Sequence, residues 1–259
     1  MARRTPDGPP PPPTVQRVRL RYAKRGRLRF TSHRDFARAF ERALRRAAVP
    51  MAYSAGFSPH PKISYVGAAP TGVASEAEYL EIGLAERVEL PKLIADLDRV
   101  LPDGLDIVDA VESRGGSLPE RIEAARWRIE LPGVEPAELA RALMIFTATE
   151  QVLVTRLTKD GRREIDARAP VLRAVPWSES TPACAPDDPS RAILELVVRQ
   201  ATPAVRPDDV LAALTTVAGL ALPSPPLAVR LAQGPLDGSG QIGDPLAADR
   251  VAEQTPLSQ

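Results

Sequence analysis

His33 and His60 are the only imidazoles in the 259-residue chain, and both fall in a stretch dense with arginine. One imidazole as base and one as acid is the minimum set for metal-free RNA cleavage by 2′-hydroxyl attack, with Tyr53 or Lys62 placed to assist. The segment Tyr53-Ser-Ala-Gly-Phe-Ser-Pro-His-Pro-Lys62 has a second capacity. Gly56, Pro59 and Pro61 fix a turn, so Tyr53 and Phe57 could stack a base while His60 and Lys62 hold a phosphate. In Thr31-Ser32-His33-Arg34-Asp35, Ser32 fits an N-cap and Asp35 follows at capping-box spacing, so a structural cap is expected of both. An imidazole at position 33 is not needed for that cap, and the free N–H groups of a first helical turn can take a phosphate.

The element that must position His33 is a helix over 33–49, ended by Pro50. Phe36, Phe40, Ala43, Leu44 and Ala47 repeat at helical spacing and predict a core stripe. Arg34, Arg38, Arg42, Arg45 and Arg46 form a second stripe with only Glu41 near it; such like charges repel and suit an anionic ligand. Of 34 basic residues 30 are Arg, whose planar guanidinium engages phosphate in bidentate fashion. Residues 14–67 carry 13 Lys/Arg against 2 acids, whereas 68–125 carry 5 against 13, although the formal net charge is only +1. Arg27, Arg29 and the β-alternating Arg17, Arg19 and Arg21 extend the expected phosphate-binding surface. In the second half the charged hairpin tip with Lys159, Arg162 and Arg163 is its counterpart.

Around these residues the pattern predicts a Pro-rich arm (1–13), a basic domain (14–114), a linker (115–125), a second domain (126–233) and a loose tail (234–259). The first domain reads as a strand through Arg17–Tyr22, a hairpin or bulged continuation through Leu28 and Phe30, the helix 33–49, and short strands at 51–56 and 62–68. A strand 79–84, a helix 91–101 and a strand 105–111 follow. The second reads as strand 126–131, helix 136–147, strands 151–157, 164–171 and 192–199, helix 207–217 and strand 227–232. The fold class is therefore α+β: two tandem ferredoxin-like (βαββαβ) domains, whose open sheet face or rim is suited to RNA.

The same residues exclude other classes. No apolar run approaches the ~18 residues of a membrane span. The lone Cys184 can make no intrachain disulfide and supply no iron–sulfur or zinc cluster, and neither a Walker loop nor a dinucleotide fingerprint occurs. No metal, cofactor or membrane is expected, and the location expected is cytoplasmic.

The run Arg27-Leu-Arg-Phe-Thr-Ser-His-Arg-Asp35, the Arg-rich helix, the Tyr53–Lys62 segment and Glu78-Tyr-Leu-Glu81 together resemble the radical-SAM-associated domain family of unknown function. Lys159-Asp-Gly-Arg-Arg-Glu-Ile-Asp166 and Arg206-Pro-Asp-Asp-Val210 extend the resemblance over roughly residues 15–232. That family occurs fused behind cobalamin-binding radical SAM enzymes or alone beside a ribonuclease E/G-type gene. With one Cys this chain resembles the stand-alone form. More distantly, the layout is similar to CRISPR repeat-processing endoribonucleases, paired ferredoxin-like domains with a His near the first helix. The first expectation is an RNA-binding accessory protein that presents tRNA or rRNA to a modification or processing enzyme, with the question of its own catalysis left open. The alternatives are a metal-independent endoribonuclease using His33 or His60, and a protein–protein adaptor for a radical SAM enzyme or ribonuclease that uses the acidic block 68–125.

Overall fold

The computed structural model describes residues 11–158, 161–177 and 191–250. The chain is mixed α and β and divides into two compact units, Met1–Arg121 with Pro245–Gln259, and Ile122–Asp244. In the first unit β1 (Gln16–Lys24) is followed by α1 (His33–Arg46), β2 (Ile63–Val66), β3 (Ala74–Leu84), α2 (Leu90–Asp98) and β4 (Leu105–Glu112). Its strands lie in the order β4-β1-β3-β2, every neighbour antiparallel. Val18, Leu20 and Tyr22 of β1 and Leu80, Ile82 and Leu84 of β3 form one buried face. Phe36, Phe40, Ala43 and Leu44 of α1 and Leu93 and Leu97 of α2 cover it. The i, i+4, i+7, i+8 stripe of α1 thus becomes its core face.

In the second unit β5 (Ala124–Pro132), α3 (Pro136–Ala148), β6 (Leu153–Thr158), β7 (Gly161–Asp166), β8 (Val171–Pro176), β9 (Arg191–Arg199), α4 (Pro207–Ala218) and β10 (Leu227–Gly234) follow in order. Its sheet runs β10-β5-β9-β8, again antiparallel throughout, and β6 and β7 form a separate hairpin. The region read from sequence as strands 151–157 and 164–171 is this hairpin, and the sheet strand is the next segment, Val171–Pro176. Val154 and Ile165 give the hairpin one buried face, and Arg156 ties it to Asp209 of α4. Asp209 is therefore a buried clamp rather than only a helix-start acid. No helix among the described residues is long and apolar enough to cross a membrane.

Three expectations change here. Leu28 and Phe30 lie on a 3₁₀ helix, Gly26–Phe30, not on a strand. Gly26 at φ +53° and the Thr31 N–H bond to the Leu28 carbonyl (2.9 Å) close that turn, and a four-residue alternation does not distinguish the two shapes. Residues 51–56 make only isolated bridges, Met51 to Leu84 and Tyr53 to Pro61. From Gly234 the chain, instead of trailing off, makes a bridge between Leu236 and Ile242 and a last helical turn, α5 (Ala247–Arg250), which belongs to the first unit.

That last turn also alters the reading of β1. Arg19 is 1% exposed: its Nε donates to Glu81 (2.8 Å), one terminal nitrogen to Asp249 of α5 (2.8 Å), and the other to the carbonyls of Gly115 and Gly116 (3.1 and 2.6 Å). Arg21 donates to the Glu76 carbonyl (2.9 Å), and Arg17 pairs with Glu81 at 3.5 Å. Alternation identifies the face these arginines share, but it does not show that a segment 230 residues away covers it. Arg19 and Arg21 are bound within the protein and leave the expected phosphate-binding set.

Candidate nucleic-acid interface

Helix α1 begins at a built cap. Ser32 accepts from the Asp35 N–H (3.2 Å) and donates its own hydroxyl to the Asp35 carboxylate (2.6 Å). Ser32→Ala removes both bonds and is expected to cost about 1 kcal/mol. A urea denaturation midpoint lowered accordingly, with unchanged slope, checks it.

The helix presents Arg34, Arg38, Arg42, Arg45 and Arg46 to solvent; like the exposed Arg27 before it, none has an ion pair among the described residues. The helix carries two acids, and neither is ion-paired with these arginines among the described residues. Asp35 is held by Ser32, and Glu41 lies close enough to Tyr65 to act on its phenol. Among the described residues Arg29 has no carboxylate partner either, and its buried Nε has no hydrogen bond; its guanidinium lies over the Phe30 ring, 4.7 Å from the centroid.

Elsewhere in the unit the pattern is the opposite. Arg25 is bound by Glu76 and Asp106, Arg87 by Glu112, Arg99 by Asp96, Arg121 by Asp249 and Arg250 by Asp109. Even Lys24, buried at 4% exposure, reaches the Ala69 and Pro70 carbonyls. The positive charge of this unit is thus neutralised around the sheet and left open on α1.

His33, exposed on the first turn of α1, meets the edge of Tyr65 on β2, with ring centroids 5.0 Å apart and the planes at 89°. Tyr65 is a residue the sequence did not single out. Its hydroxyl is buried with no partner among the described residues; burial, and secondarily the Glu41 charge, push it well above the usual phenol range. Nothing in the Ile63–Val66 pattern marks it, because alternation is equally satisfied by a packed tyrosine.

His60 lies on a separate loop, and no contact joins the two imidazoles among the described residues. That loop is built as a projecting hairpin: Lys62 N–H donates to Ala52 O (2.8 Å), Ser54 N–H to His60 O (2.9 Å), and His60 N–H to Ser54 Oγ (3.1 Å). Tyr53 and Phe57 are exposed on it, at 38% and 71%. Lys62 donates to the Thr14 hydroxyl (2.9 Å) and borders a shallow cleft of about 300 Å³ with Arg17, Ser64 and Glu81.

In the second unit Arg162 and Arg163 are exposed on β7, opposite Leu157 and Arg156 of β6, while Lys159 and Cys184 lie outside the described residues. No group of three or more His, Cys, Asp or Glu side chains among the described residues is placed to hold a metal ion.

The geometry therefore gathers the α1 arginines, His33 and Tyr65 in one place and puts Tyr53, Phe57, His60 and Lys62 on the adjoining hairpin. No curated protein matches the chain. A family model described as an uncharacterized protein conserved in bacteria does match it, over residues 17–207, which hold the arginine helix, the projecting hairpin and most of both units. The chain belongs to that family, DUF2344.

Proposed function

We propose that this protein is an RNA-binding accessory factor, built of two tandem ferredoxin-like units, that presents structured RNA of the tRNA or rRNA class to a modification or processing enzyme. The observation that carries the reading is the division of arginines. Those around the first sheet each have an oxygen partner, while those of α1 have none among the described residues, and a folded surface gains nothing from five uncompensated like charges unless an anion covers them. The order β4-β1-β3-β2 with both helices on one face, and β10-β5-β9-β8 in the second unit, supports the ferredoxin-like assignment. A radical SAM enzyme or a ribonuclease E/G-type protein as the partner rests on the motif resemblance alone.

The test is salt-titrated binding of the purified protein to total tRNA, rRNA fragments and duplex DNA, with the same gels inspected for cut products. Tight RNA-selective binding with a steep salt slope and intact RNA supports the reading. Metal-free cleavage lost in His33→Ala would replace it with the endoribonuclease. Weak binding indifferent to the nucleic acid would overturn it in favour of a protein partner.

A further inference from the structure

Beyond its charges the first unit exposes aromatic rings in a particular arrangement. Its large exposed apolar side chains are Val15, Phe30, Tyr53, Phe57 and Val108, whereas those of the second unit are Met144, Ile145, Leu153, Leu157 and Leu172. All three aromatic ones therefore lie in the unit with the open arginines, and they bracket α1. Scattered exposed leucines need no explanation, but rings confined to a basic surface do.

Phe30, 58% exposed, ends the 3₁₀ helix three residues before His33. The bond from Gly72 N–H to Arg29 O (2.8 Å) and the closing bond at Thr31 fix its backbone, and the Arg29 guanidinium over one face of its ring places a positive charge beside it. Tyr53 and Phe57 stand beyond the other end of the helix. The strand register shows this. Gly72 and Ser75 lie where β1 ends and Phe30 sits, and α1 then returns to the end where Met51 and Ala52 bond Leu84 and Gly83. Between the two aromatic positions run the 14 residues of α1, about 21 Å of helix that carries the arginine stripe.

We infer that the ligand of this surface is unpaired RNA, whose backbone tracks the α1 arginines while one base stacks on Phe30 and another on Phe57. The inference rests on the RNA-binding reading and narrows its substrate class. A continuous duplex buries its base faces against one another and has none to offer a protruding ring, whereas a loop or single strand does. Phe30 is held by backbone hydrogen bonds at its own turn, and the hairpin that carries Phe57 by those at its base, which limits the ordering needed on binding.

The experiment measures fluorescence anisotropy of a labelled oligoadenylate strand, and of the same strand annealed to its oligouridylate complement, across a salt series. The strand is expected to bind at least roughly tenfold tighter than the duplex, since each base–ring stack contributes ~1–3 kcal/mol. The double variant F30A/F57A is expected to lose roughly 30-fold on the strand with its salt slope unchanged, and F30Y/F57Y to recover it. Both rings are mostly exposed, so unchanged melting should accompany the loss. Equal affinity for duplex and strand, or a double variant that binds like the wild type, overturns the inference. If arginine substitution still flattens the salt slope in that case, RNA binding stands and only the stacking fails. If neither set of variants matters, both readings fall.

Discussion

Replacing Arg38, Arg42 and Arg45 together with alanine is expected to weaken RNA binding about 100-fold near 0.15 M salt and to flatten the log–log salt slope by about 2 to 3. Each guanidinium that displaces a condensed counterion contributes about 0.7 to the slope on single strands and about 0.9 on duplex, so three contribute that amount. The same exponent, taken from the 1 M reference to 0.15 M salt, gives a factor of about 5 per contact.

The variant should fold at least as well as the wild type. All three positions are exposed on α1, alanine is the better helix former, and the substitution removes mutual repulsion. Arg99→Ala is the control: Arg99 is also exposed but already paired with Asp96 at 2.7 Å, so its loss should leave the slope unchanged. A triple variant with unaltered slope, or a control with the same loss, would show that total charge rather than the open stripe governs binding.

The stripe was legible in the sequence because helical periodicity depends only on local spacing. Phe36, Phe40, Ala43 and Leu44 fix which face is inward, and the arginines then have only the other. The Ser32–Asp35 cap was legible for the same reason, both partners lying within one turn. What the sequence could not disclose was contact at long range. Arg19 and Arg38 look alike in a list of basic residues; one is sealed beneath Asp249 and the other is open, and the difference arises 230 residues downstream. Phe30 was hidden in a different way. Alternation with Arg27 and Arg29 suggested a half-buried strand, but Gly26 turns the backbone into a 3₁₀ helix that points the ring outward. Tyr65 had no signal at all, since an unsatisfied hydroxyl is a property of its surroundings.

Asp249→Asn is expected to destabilise the first unit strongly, although it deletes no atom of the hydrophobic core. The carboxylate is fully buried and receives Arg19 (2.8 Å), Arg121 (2.7 Å) and the Arg114 N–H (2.9 Å). Burial alone would raise its pKa, but the hydrogen bonds from Arg121, the Arg114 amide and Arg19 outweigh it and hold the group below the usual carboxylate range. Asparagine keeps the shape and one acceptor oxygen but removes the charge, leaving Glu81 as the one carboxylate against the buried Arg19 guanidinium among the described residues; breaking a buried pair this way costs about 3 kcal/mol.

The pH dependence follows from the sign of the shift. A carboxyl whose folded value is depressed contributes stability that is fully present above its unfolded value near 4 and is lost as pH falls through the folded value. The gap between wild type and variant should therefore be constant from about pH 5 to 8 and close toward pH 2, with the wild type falling faster in acid. Calorimetric melting across that range checks it, and hydrogen exchange of the Arg114 amide reports the same latch locally. A gap unchanged down to pH 2 would mean the charge on Asp249 is not what holds α5. Because Arg19 keeps its other partners in the variant, the salt slope of RNA binding should stay at the wild-type value, which separates the arginines that fasten the fold from those left open to a ligand.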